Sequence, residues 1–295
     1  MPADGVVRRI ANLASYTKAV LTATLLALAA AVLHAGWNLA LKQGAGDRFV
    51  SAALQFAAGG LLFVPALFIT GPPRGEALAW LALSTGLHLV YVLLLVRAYG
   101  AGDFSLAYPL ARGSGALLAA MGGATLLGDT LPPLGVVGIA IATAGLLSLV
   151  GRGAAPPSYG WALLTGVLIA CYTLVDTVGA RHSSGAGYAI SQGISVGAVL
   201  GATCLVAGRG RALVTLARSS WRRHAAAGAA SVAAYSLVLI AVRMAPVGYV
   251  AVLRESSVVL GALGGWWLLK ERMARRRAVS AVIVLAGMGV LVAGR

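Results

Sequence analysis

Two arginines stand inside otherwise apolar stretches, Arg112 in "AYPLARGSG" and Arg254 in "AVLRESS", and Glu255 follows the second. An ionised side chain at mid-membrane depth costs ~2.5–3.5 kcal/mol on insertion scales, so it faces a cavity, a partner or an interface. A guanidinium presents a planar, permanently charged fork of donors that suits a carboxylate or phosphate. Three readings follow for the pair: a cationic substrate site, a structural ion pair with Glu255 or Asp176, or snorkelling toward headgroups. Glu255 points about 100° around the helix from Arg254, which makes the two neighbours poor partners. It pairs with Arg112 or Arg243, or serves as a proton-coupling group.

Other polar residues fall on the same stretches. Asp176 lies about four residues, roughly 6 Å, from the end of its run, which puts the interface within reach, and it is a second coupling candidate. His34, Trp37 and Asn38 share a helix face through spacings of three and four. That face either lines a cavity, with Asn38 bonding substrate and Trp37 walling it, or packs against a neighbouring helix. Tyr172 and Thr173 repeat the aromatic–polar pair later in the chain. His88 and Tyr91, three apart, sit near the middle of another run, where a histidine is more often bonded to a neighbouring helix than a proton carrier. Tyr108 joins the substrate-binding candidates, and Gln55, Ser114, Gln192, Tyr235 and Ser256 have lower weight. Pro109 removes a helical hydrogen bond and is expected to kink its helix. Trp266, Trp267 and the arginines at 272–277 read as helix-end anchors.

The elements that must position these residues follow from composition. Of 295 residues, 59% are hydrophobic and 11% charged, more apolar than a water-soluble surface tolerates. The expected class is an all-α integral membrane protein of the inner or plasma membrane. A span needs ~20 apolar residues, and ten runs qualify: 19–41, 49–70, 77–98, 105–127, 133–150, 160–180, 186–207, 225–242, 248–269 and 278–294. Gly- and Pro-containing separators such as "GPPRGE" and "GDTLPP" divide them. The longest, 208–224, is the place for an interfacial amphipathic helix. The net charge of +15 lies mainly between runs, where it sets topology and meets anionic headgroups rather than nucleic acid. Cys171 and Cys204 lie within apolar runs and act as small hydrophobes.

The chain also repeats itself. "HAGWNLALK" at 34–42 corresponds to "IACYTLVDT" at 169–177, "LAYPLARGSG" at 106–115 to "GYVAVLRESS" at 248–257, and Asp129 to Glu271. Arg112 and Arg254 thus occupy equivalent places. Five spans per half force the second half to enter the membrane upside down, an inverted-topology repeat. The expected division is an N-terminal segment 1–18, a first repeat 19–150, a linker 151–159 and a second repeat 160–295. The repeat makes the first run a working span rather than a cleaved signal, despite Arg8, Arg9 and Lys18 before it. Fourteen Lys and Arg lie on the odd-numbered loops against seven on the termini and even-numbered loops, which places both termini outside.

"LHAGWNLALK", "GDFSLAYPLARGSGALLAA", "LLGDTLPPLGVVGIAIATAGLLSL" and "RESSVVLGALGGWWLLKE" resemble the EamA-type branch of the drug/metabolite transporter superfamily over nearly the whole chain. The resemblance implies a secondary transporter with two inverted five-helix bundles around a central cavity, moving small metabolites such as amino acids outward, with cytoplasmic termini. No phosphate-binding Gly loop, metal spacing or nucleophile elbow occurs. The expected protein is therefore neither an enzyme nor a cofactor or metal binder. Its partners are membrane lipids, a small anionic or zwitterionic metabolite and a candidate coupling proton. Two rivals are a membrane scaffold or receptor whose buried charges only pair, and an intramembrane enzyme using a His34–Asp176 dyad.

Overall fold

The computed structural model describes residues 3–42, 47–101, 104–148, 156–260 and 275–294, with side chains over 15–36, 47–98, 110–148, 159–260 and 278–294. Among these residues the structure is helical throughout, with no strand. The helices are α1 (Ala3–Lys42), α2 (Arg48–Leu62), the one-turn α3 (Leu67–Thr70), α4 (Glu76–Ala101), α5 (Phe104–Leu126) and α6 (Pro133–Leu147). After them come α7 (Pro156–Arg181), α8 (Gly185–Val206), α9 (Gly210–Ala241), α10 (Val247–Arg254), α11 (described over 256–260) and α12 (Arg275–Ala293).

Each apolar run is mostly helix where it is described. Five helices are long and apolar enough to cross a membrane among the described residues, and the bent α2–α3 pair makes a sixth if it is one span. The stretches Pro133–Ser148 and Ala278–Ala293 are apolar but shorter. The bend between α2 and α3 is 43° and contains Pro65, which cannot donate to the preceding turn. Asp47 starts α2 by accepting from the amides of Phe49 and Val50. Gly71, Gly128 and Gly208 end helical segments at positive φ, a conformation other residues adopt only under strain.

Packing is inverted relative to a soluble bundle. On α1 the inward residues are Ala23, Ala27, Ala30 and Ala31, whereas Leu21, Leu25 and Val32 are exposed. Large apolar side chains face outward, and small ones let backbones approach. A Cβ on Gly59 would meet the carbonyl of Gly228 at 2.5 Å, so α2 and α9 touch backbone to backbone. Similar glycine contacts join α6 to α12 through Gly138, Gly145 and Gly287. The arrangement marks a multi-pass membrane protein, whose outer surface is solvated by lipid rather than water.

Two local features depart from the sequence reading. The separator 208–224 is continuous with the following span in α9, interrupted only at Ser220, whose φ of −145° lies outside the helical range. The run 248–269 is broken at Glu255, where the amide of Glu255 bonds the Val252 carbonyl and Val258 bonds Glu255 in i to i+3 turns before helix resumes at 256.

Candidate functional site

The break in α10 falls at the charged residues. Arg112 on α5 donates from Nε to Glu255 Oε2 at 2.9 Å and from Nη2 to Oε1 at 2.7 Å, a bidentate pair. Arg254 Nη2 stands 3.7 Å from the same Oε1. All three side chains are buried. Neighbours expected to be poor partners make only a loose contact, within ion-pair distance but with no hydrogen bond between their side chains. α10 ends at Arg254, Glu255 occupies a turn, and both side chains come round to one point. Arg254 nevertheless keeps its Nε buried with no hydrogen-bond partner among the described residues. A buried donor left unmade is costly, so this guanidinium has unused binding capacity.

A second polar cluster lies where α4, α7, α8 and α9 meet. Asp176 is fully buried, which corrects the expectation that it reaches the interface. Its end of α7 is enclosed by α8 and α9, and Oδ2 accepts a short hydrogen bond from the Tyr235 hydroxyl. Oδ1 and the Tyr188 hydroxyl are both buried without a partner among the described residues. The hydroxyls of Tyr188 and Ser84 face this carboxyl, and the histidine beside it is His88 rather than His34.

His88 is committed at both nitrogens. Nδ1 is 2.9 Å from the Ser84 carbonyl, and Nε2 is 2.9 Å from the Gln192 side-chain amide on α8. Its ring stacks on Tyr172 at 4.1 Å between centroids, and Tyr91 meets Tyr172 edge-on at 5.3 Å. Tyr172 lies within electrostatic reach of Arg254, Arg112, Asp176 and Glu255, and His34 within reach of both arginines. The two clusters are therefore ends of one buried polar seam.

Most of the sequence candidates thus converge: Arg112, Arg254, Glu255, His34, His88, Tyr91, Tyr172 and Asp176. Thr173 is buried beside them with its hydroxyl unpartnered among the described residues. The side chains of Trp37, Asn38, Tyr108, Pro109, Trp266 and Trp267, and the arginines at 272–277, lie outside the described residues. Gln192 and Tyr235, given lower weight from sequence, touch the core of the cluster. Tyr188 and Ser84 were missed. Ser84 was detectable as the i−4 neighbour of His88, whereas Tyr188 had no local signal.

Asp129 works outside the seam. Its Oδ1 accepts from Arg181 Nη2 at 2.8 Å and its Oδ2 from the Val247 amide at 2.7 Å, while Arg181 Nε reaches the Val242 carbonyl. One carboxylate ties the end of α5 to the C-terminus of α7 and the N-terminus of α10, the pole that favours an anion.

Residues 157–293 match the model of the EamA-like transporter family. This part of the chain is similar to that family. The likeness, over somewhat less than half of the chain, is to a family of transporters. A solved crystal structure of a protein superposes over 91% of this chain and 95% of its own with a TM-score of 0.72 and 22% identity, a likeness of fold. No curated protein sequence matches the chain.

Proposed function

We propose that this EamA-like protein is a secondary transporter of the inner or plasma membrane, carrying a small anionic or zwitterionic, amino-acid-like metabolite outward by alternating access. The observation that carries the reading is Arg254, buried with an unpartnered Nε beside a closed Arg112–Glu255 pair. An anion entering the seam meets a charged donor that the pair leaves open among the described residues. The break in α10 at the same point supports this, because discontinuous spans place helix termini and freed backbone groups at substrate sites.

The packing supports two inverted five-span repeats. Treating α1 and α7, α2 and α8, α4 and α9, α5 and α10, and α6 and α12 as equivalents maps the more extensive contacts onto one another. The α1–α9 contact answers α7–α4, α2–α9 answers α8–α4, and α5–α7 answers α10–α1. Flux of a radiolabelled amino-acid mixture through proteoliposomes tests the proposal, with Arg254→Gln expected to abolish transport that the parent performs. Equal flux in the two proteins overturns the site. The rival scaffold reading draws on the Arg112–Glu255 pair, and it requires that the parent carry nothing in the same assay.

A further inference from the structure

We propose that Asp176 binds the coupling proton, and that its protonation lets the seam take up an anionic substrate together with that proton. The proposal rests on the transport reading above, its direction apart: a proton and an anion bound together travel the same way, so the proton gradient across the membrane sets the direction of net flux.

The two buried carboxyls of the seam differ in their surroundings. Glu255 is held by two hydrogen bonds from Arg112 and stands 3.7 Å from a second guanidinium, so a proton arriving there must displace a cation. Asp176 has no Lys or Arg within ion-pair distance among the described residues. Hydroxyls surround it instead: Tyr235 from α9, Tyr188 from α8 and Ser84 from α4. A hydroxyl can turn to donate or to accept. As a carboxylate, Asp176 accepts from Tyr235 and has Tyr188 and Ser84 as further donors. As an acid, its proton has the unpartnered Tyr188 oxygen as acceptor. Turning these hydroxyls would serve either state without moving a helix, which is what a site that loads and unloads a proton requires.

The remaining titratable groups facing this carboxyl have other roles. His88 on α4 has Nδ1 against a carbonyl, where it must donate, and Nε2 against an amide, so both nitrogens are occupied. Tyr172 on α7 stacks on His88 and lies within electrostatic reach of Asp176 as well as of Arg112 on α5, Arg254 at the end of α10 and Glu255 in the turn after it. His34 on α1 lies on the arginine side.

The consequence is a matter of charge. Arg112, Arg254, Glu255 and Asp176 sum to zero when Asp176 is ionised, and the seam becomes a net cation when Asp176 takes a proton from water on one side. An anion then neutralises it, and loss of the proton on the other side restores neutrality and disfavours the anion. Binding linkage is reciprocal, so protonation and anion binding strengthen each other, typically by roughly 5- to 150-fold.

The test uses purified protein in two arms. Infrared difference spectra on acidification are expected to show the carbonyl stretch of a buried protonated carboxyl in the parent and in Asp176→Glu, lost in Asp176→Asn and kept in Glu255→Gln. Absence of the band from the parent, or its persistence in Asp176→Asn, overturns the assignment. In proteoliposomes, an imposed pH gradient is expected to drive accumulation of the radiolabelled amino-acid mixture by the parent. Asp176→Asn is expected to lose that accumulation while retaining exchange. Accumulation by Asp176→Asn overturns the proposal, as does a parent that exchanges amino acids without responding to the gradient. A parent that neither exchanges nor accumulates them contradicts the transport reading instead, and the infrared arm still decides whether Asp176 takes the proton.

Discussion

The two ends of the seam stabilise buried charge by opposite means. At the break between α10 and α11, one carboxylate is held between two guanidinium groups. Where α4, α7, α8 and α9 meet, a carboxylate equally removed from water is held by hydroxyls, with an imidazole bonded elsewhere. An ion pair fixes one charge state and one geometry, because breaking it strands a charge in low dielectric. Hydroxyls accommodate either state, because they can reverse their hydrogen bonds. The first arrangement suits a permanent substrate anchor, and the second a group whose charge changes during the cycle.

Removing one member of the ion pair is the severest way to break this contrast. Arg112→Ala is expected to lower stability by about 3–5 kcal/mol, because Glu255 loses its bidentate partner inside the bundle. Thermal unfolding in detergent measures this, and a small loss would show that water reaches the pair. Overpacking a glycine crossing is expected to cost about 1–3 kcal/mol. Gly228→Leu, which drives a side chain into the Gly59 backbone, tests it in the same assay. Asp129→Asn sharpens the contrast from outside the seam. Its partner Arg181 is partly exposed, so the ion pair counts for little, and most of the loss comes from weaker capping of α10. A loss of about 1 kcal/mol is expected.

The fold was legible where composition decides it. The apolar runs mark the helices, although the run 49–70 reads as one unbroken span and the structure bends it at Pro65. The seam was legible through the oddity of its residues, since Arg112, Arg254, Glu255 and Asp176 are misplaced in any apolar run unless they meet something. Their pairings were not legible. "AVLRESS" has neither Gly nor Pro, so local sequence carries no sign of the turn at Glu255, which coincides with the ion pair to Arg112. The burial of Asp176 likewise depends on α8 and α9 closing over the end of α7, a long-range packing event. Tyr188 is placed by that same event, against Gly179, which is why spacing could not find it.

The most direct test of the division between closed and open cation is a paired measurement of flux and thermal stability on two variants. Arg112→Gln with Glu255→Gln removes the ion pair without changing the seam's net charge, and Arg254→Gln removes the open guanidinium. The double variant is expected to keep measurable transport of the amino-acid mixture. Arg254→Gln is expected to keep the parent's unfolding temperature and lose transport. Full transport by Arg254→Gln, with none by a folded double variant, would contradict the account.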